Sequence, residues 1–249
     1  MDYQNAFVSG ASSGLGAGLV RRLAARGTHV YAAARRKDRL EALAAECEPG
    51  TVTPVVLDVA DTAKVVKTLR KIDADCEGLD LVVANAGIGG QKRATRLTWE
   101  HEIEPVLMTN VLGAFATLTA VLPKMVERDR GHLVGVGSLA GYRGLPGTAA
   151  YSASKAALST YLETLRIDLR RTGIRVTAIE PGFVKTELTE GSKSPMPFLM
   201  DLDAAVDRIV RAIDCETPVR AFPWQLATAV RFARILPRSI YDHVIARVA

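Results

Sequence analysis

A chain of 249 residues, 48% hydrophobic and 24% charged, has the composition of one ordinary globular domain and not of a disordered, collagenous or disulfide-stapled protein. Its net charge of +5 is spread along the chain; this suits an anionic small molecule and, with no nucleic-acid-binding module visible, excludes nucleic acid as the expected partner. Cys47, Cys76 and Cys215 lie far apart, and His29, His101, His132 and His243 form no ligand-spaced pair, so reduced thiols and no metal site are expected.

The opening MDYQNAFVSG has no basic n-region and no long apolar stretch, so no signal peptide is expected. No unbroken apolar run of about 18 residues predicts a spanning helix, and a cytoplasmic protein is the expectation. Short apolar runs at Asn5–Ser9, His29–Ala33, Val52–Leu57, Leu79–Ala84, Gly131–Gly137, Ile174–Glu180 and Val219–Phe222 read as buried parallel strands. Helical patterns alternate with them: Leu15–Arg26, stopped by Gly27; Asp38–Cys47; Thr62–Ala74, with Asp61 as its N-cap; Ala150–Thr172, stopped by Gly173; and Asp203–Ile213. Trp99–Arg128 reads as one long helix with Pro123 near its far end, or as two in succession. The alternation predicts an α/β class fold: a Rossmann-like, doubly wound, seven-stranded parallel sheet in three α/β/α layers. One domain is expected over residues 1–249, with 219–249 forming a last strand and a helical tail.

Such sheets bind ligands beyond the carboxyl ends of their strands. After the first strand comes Ser9-Gly10-Ala11-Ser12-Ser13-Gly14-Leu15-Gly16. Gly10 permits a tight turn, Gly14 lets backbone approach a pyrophosphate, and Gly16 allows close helix–sheet packing. The following helix N-terminus offers N–H groups to phosphate. Gly10, Ser12, Ser13, Gly14, Leu15 and Gly16 form the expected cofactor-binding turn. At the end of the second strand Ala34 stands where an NAD-preferring site carries an acid, and Arg35-Arg36-Lys37 follows. Arginine can grip a 2′-phosphate with paired hydrogen bonds. NADP(H) is therefore the expected cofactor, with Arg35 the first candidate and Arg36 the second; the alternative is a solvated helix start.

Tyr151 and Lys155 are four residues apart and share a helix face. A nearby ammonium is expected to lower the phenol pKa toward the working pH. Ser138 closes the fifth strand, thirteen residues before Tyr151, so two hydroxyls can converge on one carbonyl oxygen. Asn110 is a polar amide in an apolar helical stretch and needs partners if buried.

The glycine turn with G-x-x-x-G-x-G spacing, Asn85-Ala86-Gly87, Asn110, Ser138, Tyr151-x-x-x-Lys155 and Pro181-Gly182, in that order, resemble the short-chain dehydrogenase/reductase family over about residues 4–222. Ser9 stands for the family's usual Thr, and Ala84 for the first Asn of its N-N-A-G motif. The resemblance implies hydride transfer between the nicotinamide and a carbonyl or secondary alcohol. It makes Ser138 the oxygen-binding group, Tyr151 the proton donor, Lys155 a ribose contact, and Asn110 the holder of a water that feeds the proton relay. It further implies that Asp58 accepts from the adenine amino group, Val59 touches the ring edge, Asn85 braces the sheet, and Ala86 and Gly87 admit the adenosine ribose. Pro181, Gly182, Val184 and Thr186 would meet the nicotinamide end. A homodimer or homotetramer through Trp99–Arg128 and Ala150–Thr172 is implied in the same way.

Three loops are expected to shape substrate choice: Gly89-Gly90-Gln91-Lys92-Arg93; Ala140–Gly147 with Tyr142, Arg143 and Leu145; and Glu187–Leu202, an apolar segment that closes as a lid over an apolar ketone or aldehyde, or packs on itself. The tail Ala221–Ala249 joins apolar residues to Arg231, Arg234, Arg238 and Arg247, with Pro237 splitting two helices. It can cover the site, join an oligomer interface or lie on a membrane. The competing readings are a non-catalytic NADP sensor or scaffold, a peripheral membrane reductase of lipid-like ketones, and an epimerase or dehydratase.

Overall fold

Seven apolar runs pair in parallel, in the order β3-β2-β1-β4-β5-β6-β7. They are β1 (Asn5–Ser9), β2 (His29–Ala34), β3 (Val52–Val56), β4 (Leu81–Ala84), β5 (Gly131–Val136), β6 (Ile174–Pro181) and β7 (Val219–Phe222). The computed structural model describes residues 3–90, 92–191 and 195–248. β4 and β5 are buried at every position, as strands covered on both faces must be. One face packs Ala6, Val8, Val30 and Val83 against Leu19 and Leu23 of α1 (Gly14–Ala24) and Ile209 and Ile213 of α8 (Leu202–Asp214). The other packs Phe7, Val82 and Leu133 against Leu69 of α3 (Thr62–Asp75), Leu118 of α5 (Ala114–Thr119) and Leu158 and Leu162 of α7 (Ala149–Asp168). The strand order reverses between β1 and β4, which opens the ligand crevice beyond their carboxyl ends.

Helix ends moved by a few residues for local reasons. α1 stops at Ala24, and Arg26, Gly27 and Thr28 bond back to Leu23 and Ala24 in a closing turn that ends on Gly27 at φ +83°. α2 (Lys37–Ala45) starts one residue early. Asp61 caps α3, its side chain accepting from the Lys64 N–H at 3.0 Å. α7 ends at Asp168, and a Thr172-to-Leu169 turn bond carries the chain to Gly173.

The stretch Trp99–Arg128 is built of short pieces. A π turn (Trp99–Ile103) leads into α4 (Glu104–Leu107), a second π turn (Met108–Gly113), α5, a bend at Ala120-Val121 and α6 (Leu122–Arg128). The break precedes Pro123, whose ring has no N–H and would collide with the turn before it. By length and composition this stretch is apolar enough to cross a bilayer, which corrects the sequence expectation. Single polar residues such as Thr109 and Asn110 interrupt the run, so the mean hydropathy rises without an unbroken apolar block. In the fold α5 packs against β4 and α3, and the second π turn against α7.

His132 on β5 is buried between the Tyr3 hydroxyl (2.8 Å from Nδ1) and the Thr177 hydroxyl (2.8 Å from Nε2). Burial lowers its pKa from 6.5 to about 4. The unfolded chain therefore takes up a proton between pH 6.5 and pH 4 that the folded chain refuses. Stability present above pH 6.5 is lost as pH falls through this window, by on the order of 3 kcal/mol. Urea midpoints recorded across the window for wild type and His132→Gln check this: the variant should show a shallower acid slope.

Candidate active site

The crevice is floored by the glycine turn, which a network of hydrogen bonds fixes to β4. The Ser9 hydroxyl accepts from the backbone N–H groups of Asn85 and Ala86, each at 3.1 Å. The Asn85 side-chain amide donates to the carbonyls of Ser9 (2.9 Å) and Gly10 (3.2 Å). Asn85 thus braces the junction between β1 and β4. Gly10 sits at φ +66°, and a Cβ there would lie 2.7 Å from the Ala86 Cα. A Cβ on Gly16 would collide with the Gly10 carbonyl oxygen and stand 2.6 Å from the Asn85 amide nitrogen. This backbone cradle, followed by the α1 N-terminus, fits a pyrophosphate. Ser13 is the N-cap of α1, yet its hydroxyl makes no capping bond.

The basic cluster after β2 divides in two. Arg35 is exposed, with Nη1 3.8 Å from Asp58. Arg36 reaches over the glycine turn and donates to the Ser12 hydroxyl (3.0 and 3.1 Å) and the Ser13 hydroxyl (2.8 Å). It also pairs with Glu187 at 3.0 Å, and Arg39 pairs with the other oxygen of Glu187 at 3.3 Å. Neither Arg39 nor Glu187 was singled out in the sequence. Arg39 carried a signal, lying one helical turn after Arg36. The Asp58 carboxylate accepts from the Ala60 N–H at 3.0 Å. Val59 is buried and faces Gly113 of the second π turn, where an added Cβ would meet the Val59 carbonyl oxygen at 2.6 Å.

Ser138, Tyr151, Lys155 and Asn110 converge from β5, α7 and the second π turn. The Ser138 hydroxyl donates to the Pro181 carbonyl (3.3 Å), accepts from the Ala140 N–H (3.1 Å) and stands close enough to the Tyr151 hydroxyl to act on its pKa. Burial raises the Tyr151 pKa above its ordinary value, and the Ser138 hydrogen bond opposes this. The direction is opposite to the sequence expectation. Lys155 lies 5.7 Å from the Tyr151 ring centre and donates to the Val136 carbonyl at 2.9 Å, so desolvation outweighs its field. Lys155 itself is buried, and desolvation lowers its pKa to about 8. The result is a neutral phenol, able to donate a proton, beside a hydroxyl that can steady a developing oxyanion.

Asn110 is buried in the second π turn, a helix distortion frequent at functional sites. Its Oδ1 accepts from the Ile88 N–H at 2.8 Å, and its amide donates to the Ile88 carbonyl and the Ser154 hydroxyl, both at 3.0 Å. A Cβ on Gly87 would lie 3.3 Å from Lys155 Nζ and 3.4 Å from Asn110 Oδ1, so all three meet at one point. Ser154, which sequence reasoning missed, links Asn110 to the helix carrying Tyr151 and Lys155.

The described parts of the three loops after β4, β5 and β6 touch one another. The Lys92 N–H donates to the Gly147 carbonyl at 2.7 Å, and a Cβ on Gly89 would touch Leu188 at 3.0 Å. The segment after β6 is closed at its base by a bridge between Val184 and Met200. Thr186 stands at its root, over Gly14. Lys185, Thr186, Thr189, Glu190, Met196 and Leu199 line a cavity of about 420 Å³ beneath it. Tyr142 donates to the buried Glu180 carboxylate, which Ser159 also serves at 2.9 Å. Gln91, residues 192–194 and the Arg247 side chain lie outside the described residues.

The tail forms α9 (Trp224–Ile235) and α10 (Arg238–Val248), divided at Pro237 as expected. Arg143 donates to the Arg234 carbonyl at 2.9 Å and lies 4.2 Å over the Tyr241 ring, and the Tyr241 hydroxyl donates to the Gly144 carbonyl at 2.7 Å. The tail therefore packs on the loop after β5, while Trp224, Phe232, Ile235 and Ile240 are exposed.

A doubly wound sheet with a braced glycine turn, and with a serine, a tyrosine and a buried lysine at its carboxyl edge, defines an oxidoreductase of the dinucleotide-binding class. The chain belongs to the short-chain dehydrogenase family, whose model matches residues 4–196. It is 54% identical over 250 residues to an uncharacterized oxidoreductase of Myxococcus xanthus, covering 100% of this chain and 98% of that one. It is 38% identical over 178 residues to an NADP-dependent 3-hydroxy acid dehydrogenase of Salmonella typhi, covering 71% of each. A short-chain dehydrogenase of Sphingobium yanoikuyae, solved with NADPH, superposes with a TM-score of 0.80 at 28% identity, over 94% of this chain and 97% of that one.

Proposed function

We propose that this protein is an NADP(H)-dependent reductase interconverting a small carbonyl compound, an apolar ketone or aldehyde, with its secondary alcohol. The observation that carries the reading is the Ser138–Tyr151 hydroxyl pair, backed by buried Lys155 at the sheet edge beside Pro181-Gly182. Ser138 and Tyr151 bind the carbonyl oxygen, and Tyr151 gives it a proton. Asn110 holds the floor beneath Lys155, whose ammonium keeps the phenol supplied with protons. Gly10, Ser12, Ser13, Gly14, Leu15 and Gly16 hold the pyrophosphate; Asp58, Val59, Asn85, Ala86 and Gly87 the adenosine; Pro181, Gly182, Val184 and Thr186 the nicotinamide. When bound, the cofactor supplies hydride to the carbonyl carbon.

The NADP preference is supported by Ala34 in place of an acid, by the Arg35-Arg36 pair, and by the NADPH and NADP named for two similar proteins. Arg36→Ala should weaken NADPH about 10- to 100-fold, because a charged hydrogen-bond partner of the phosphate is lost. Arg35→Ala should act in the same direction, and NADH should change less than about threefold in both. Binding titrations with the two cofactors decide; equal losses for both would remove the preference. Turnover of a carbonyl and alcohol panel, followed by nicotinamide absorbance, tests the reaction class.

We further propose that subunits pair through α5 and α7. Phe115 and Tyr161 stack there at 3.8 Å on a shallow face with Ala156, Ala157 and Thr160. Cys47, Cys76 and Cys215 are free thiols, which suits a cytoplasmic enzyme.

A further inference from the structure

The basic cluster on the glycine turn already holds an anion, and that anion belongs to the chain. Arg36 and Arg39 pair with one carboxylate, Glu187, at 3.0 and 3.3 Å. Arg36 spends its remaining donors on Ser12 and Ser13. Two guanidinium groups thus make a site of phosphate chemistry around a side chain from another loop, and two serine hydroxyls of the glycine turn hold one of them in place. Glu187 is about half exposed and follows Thr186 at the root of the lid. Arg36, which holds it below the ordinary carboxyl range, has its principal partners in the glycine turn.

We propose that Glu187 is an internal surrogate for the cofactor's 2′-phosphate, and so sets how strongly the enzyme discriminates NADP(H) from NAD(H). The inference rests on the NADP reading above. Two anions cannot share the site, so a cofactor carrying the phosphate expels Glu187, whereas one carrying a 2′-hydroxyl leaves it seated. Exposed ion pairs of this kind are weak, and a phosphate carries more charge and more acceptor atoms than the carboxylate it replaces, so expulsion is favourable. Its cost is subtracted from NADP(H) affinity alone.

The test is Glu187→Gln, a surface change of nearly constant size. Affinities for NADPH, NADH, adenosine 2′-phosphate and adenosine are measured calorimetrically on the full chain. The expected result is that the variant binds NADPH and adenosine 2′-phosphate about 5- to 10-fold more tightly, while NADH and adenosine change less than about twofold. Unchanged affinity for adenosine 2′-phosphate overturns the inference, as does an equal shift for the phosphorylated and unphosphorylated ligands. The NADP reading fails by a different sign: wild type then binds NADH as tightly as NADPH, and Arg36→Ala alters neither. Failure of that reading is thus read from wild type and Arg36→Ala, and failure of the surrogate from Glu187→Gln.

Discussion

Tyr151→Phe is expected to lower carbonyl-reduction turnover by about 10³-fold, while the dissociation constant for NADPH stays within about threefold of wild type. The two readouts separate because the substitution deletes one oxygen and keeps the ring. That oxygen stands beside Ser138 on a half-buried side chain and is held in its neutral form by desolvation. A phenol in this state is a poor base and a competent acid, and the reductive direction asks for an acid at the moment the oxygen gains charge. Nothing else within the described constellation takes its place as readily: Ser138 is an aliphatic alcohol, a far weaker acid than a phenol, and the Lys155 ammonium is turned to the Val136 carbonyl. Single-turnover rates with saturating cofactor, set beside a fluorescence titration of NADPH, give both numbers. Loss of turnover matched by loss of cofactor affinity would mean that Tyr151 organises the crevice and does not transfer a proton.

Lys155→Met is expected to lower turnover by about 10²-fold or more and to raise the stability of the fold by about 1–3 kcal/mol. The opposite signs follow from burial. Lys155 is 4% exposed, and its ammonium donates to the backbone carbonyl of Val136. Desolvation therefore lowers its pKa from 10.5 to about 8. Between these values the unfolded chain holds the proton more readily than the folded one, so the stability of the wild type should rise as pH climbs from 8 toward 10.5. Methionine fills a similar volume without a charge and should abolish that rise. Such a buried cation, kept at a cost to stability, is the pattern expected where a group is retained for its chemistry. Urea denaturation at pH 7 and pH 10, with turnover measured in parallel, checks all three expectations. A variant less stable than wild type would show that the ammonium is structural.

The strands were legible in the sequence because a parallel sheet covered on both faces needs unbroken apolar runs. β1 and β7 fall where those runs lie, and β5 and β6 differ by one residue. Glycine placement exposed the turn after β1 for the same kind of reason: Gly10 and Gly16 sit where a side chain has no room. Tyr151 and Lys155 could be paired because one helical turn separates them. Long-range pairings were not legible. Arg36 and Glu187 are separated by 151 positions, and Tyr142 and Glu180 by 38, and no periodicity links residues so far apart. The direction of the Tyr151 pKa was missed because a spacing rule reports that an ammonium is near but not how dry the site is. The composite helix Trp99–Arg128 was half legible. Pro123 marked the break, but the π turn at Asn110 depends on hydrogen bonds to Ile88 and Ser154 that arise only in the folded chain.

In the proposed reaction a phenol and a serine hydroxyl present a carbonyl to a nicotinamide. Incubating the wild-type enzyme with NADPH deuterated at the transferring carbon, together with a series of apolar ketones, tests this directly by mass spectrometry of the alcohols formed. The expected result is one deuterium on the carbinol carbon of at least one product, and none when Tyr151→Phe replaces the wild type. Alcohol formed without deuterium, or deuterium delivered as efficiently by the variant, would contradict it.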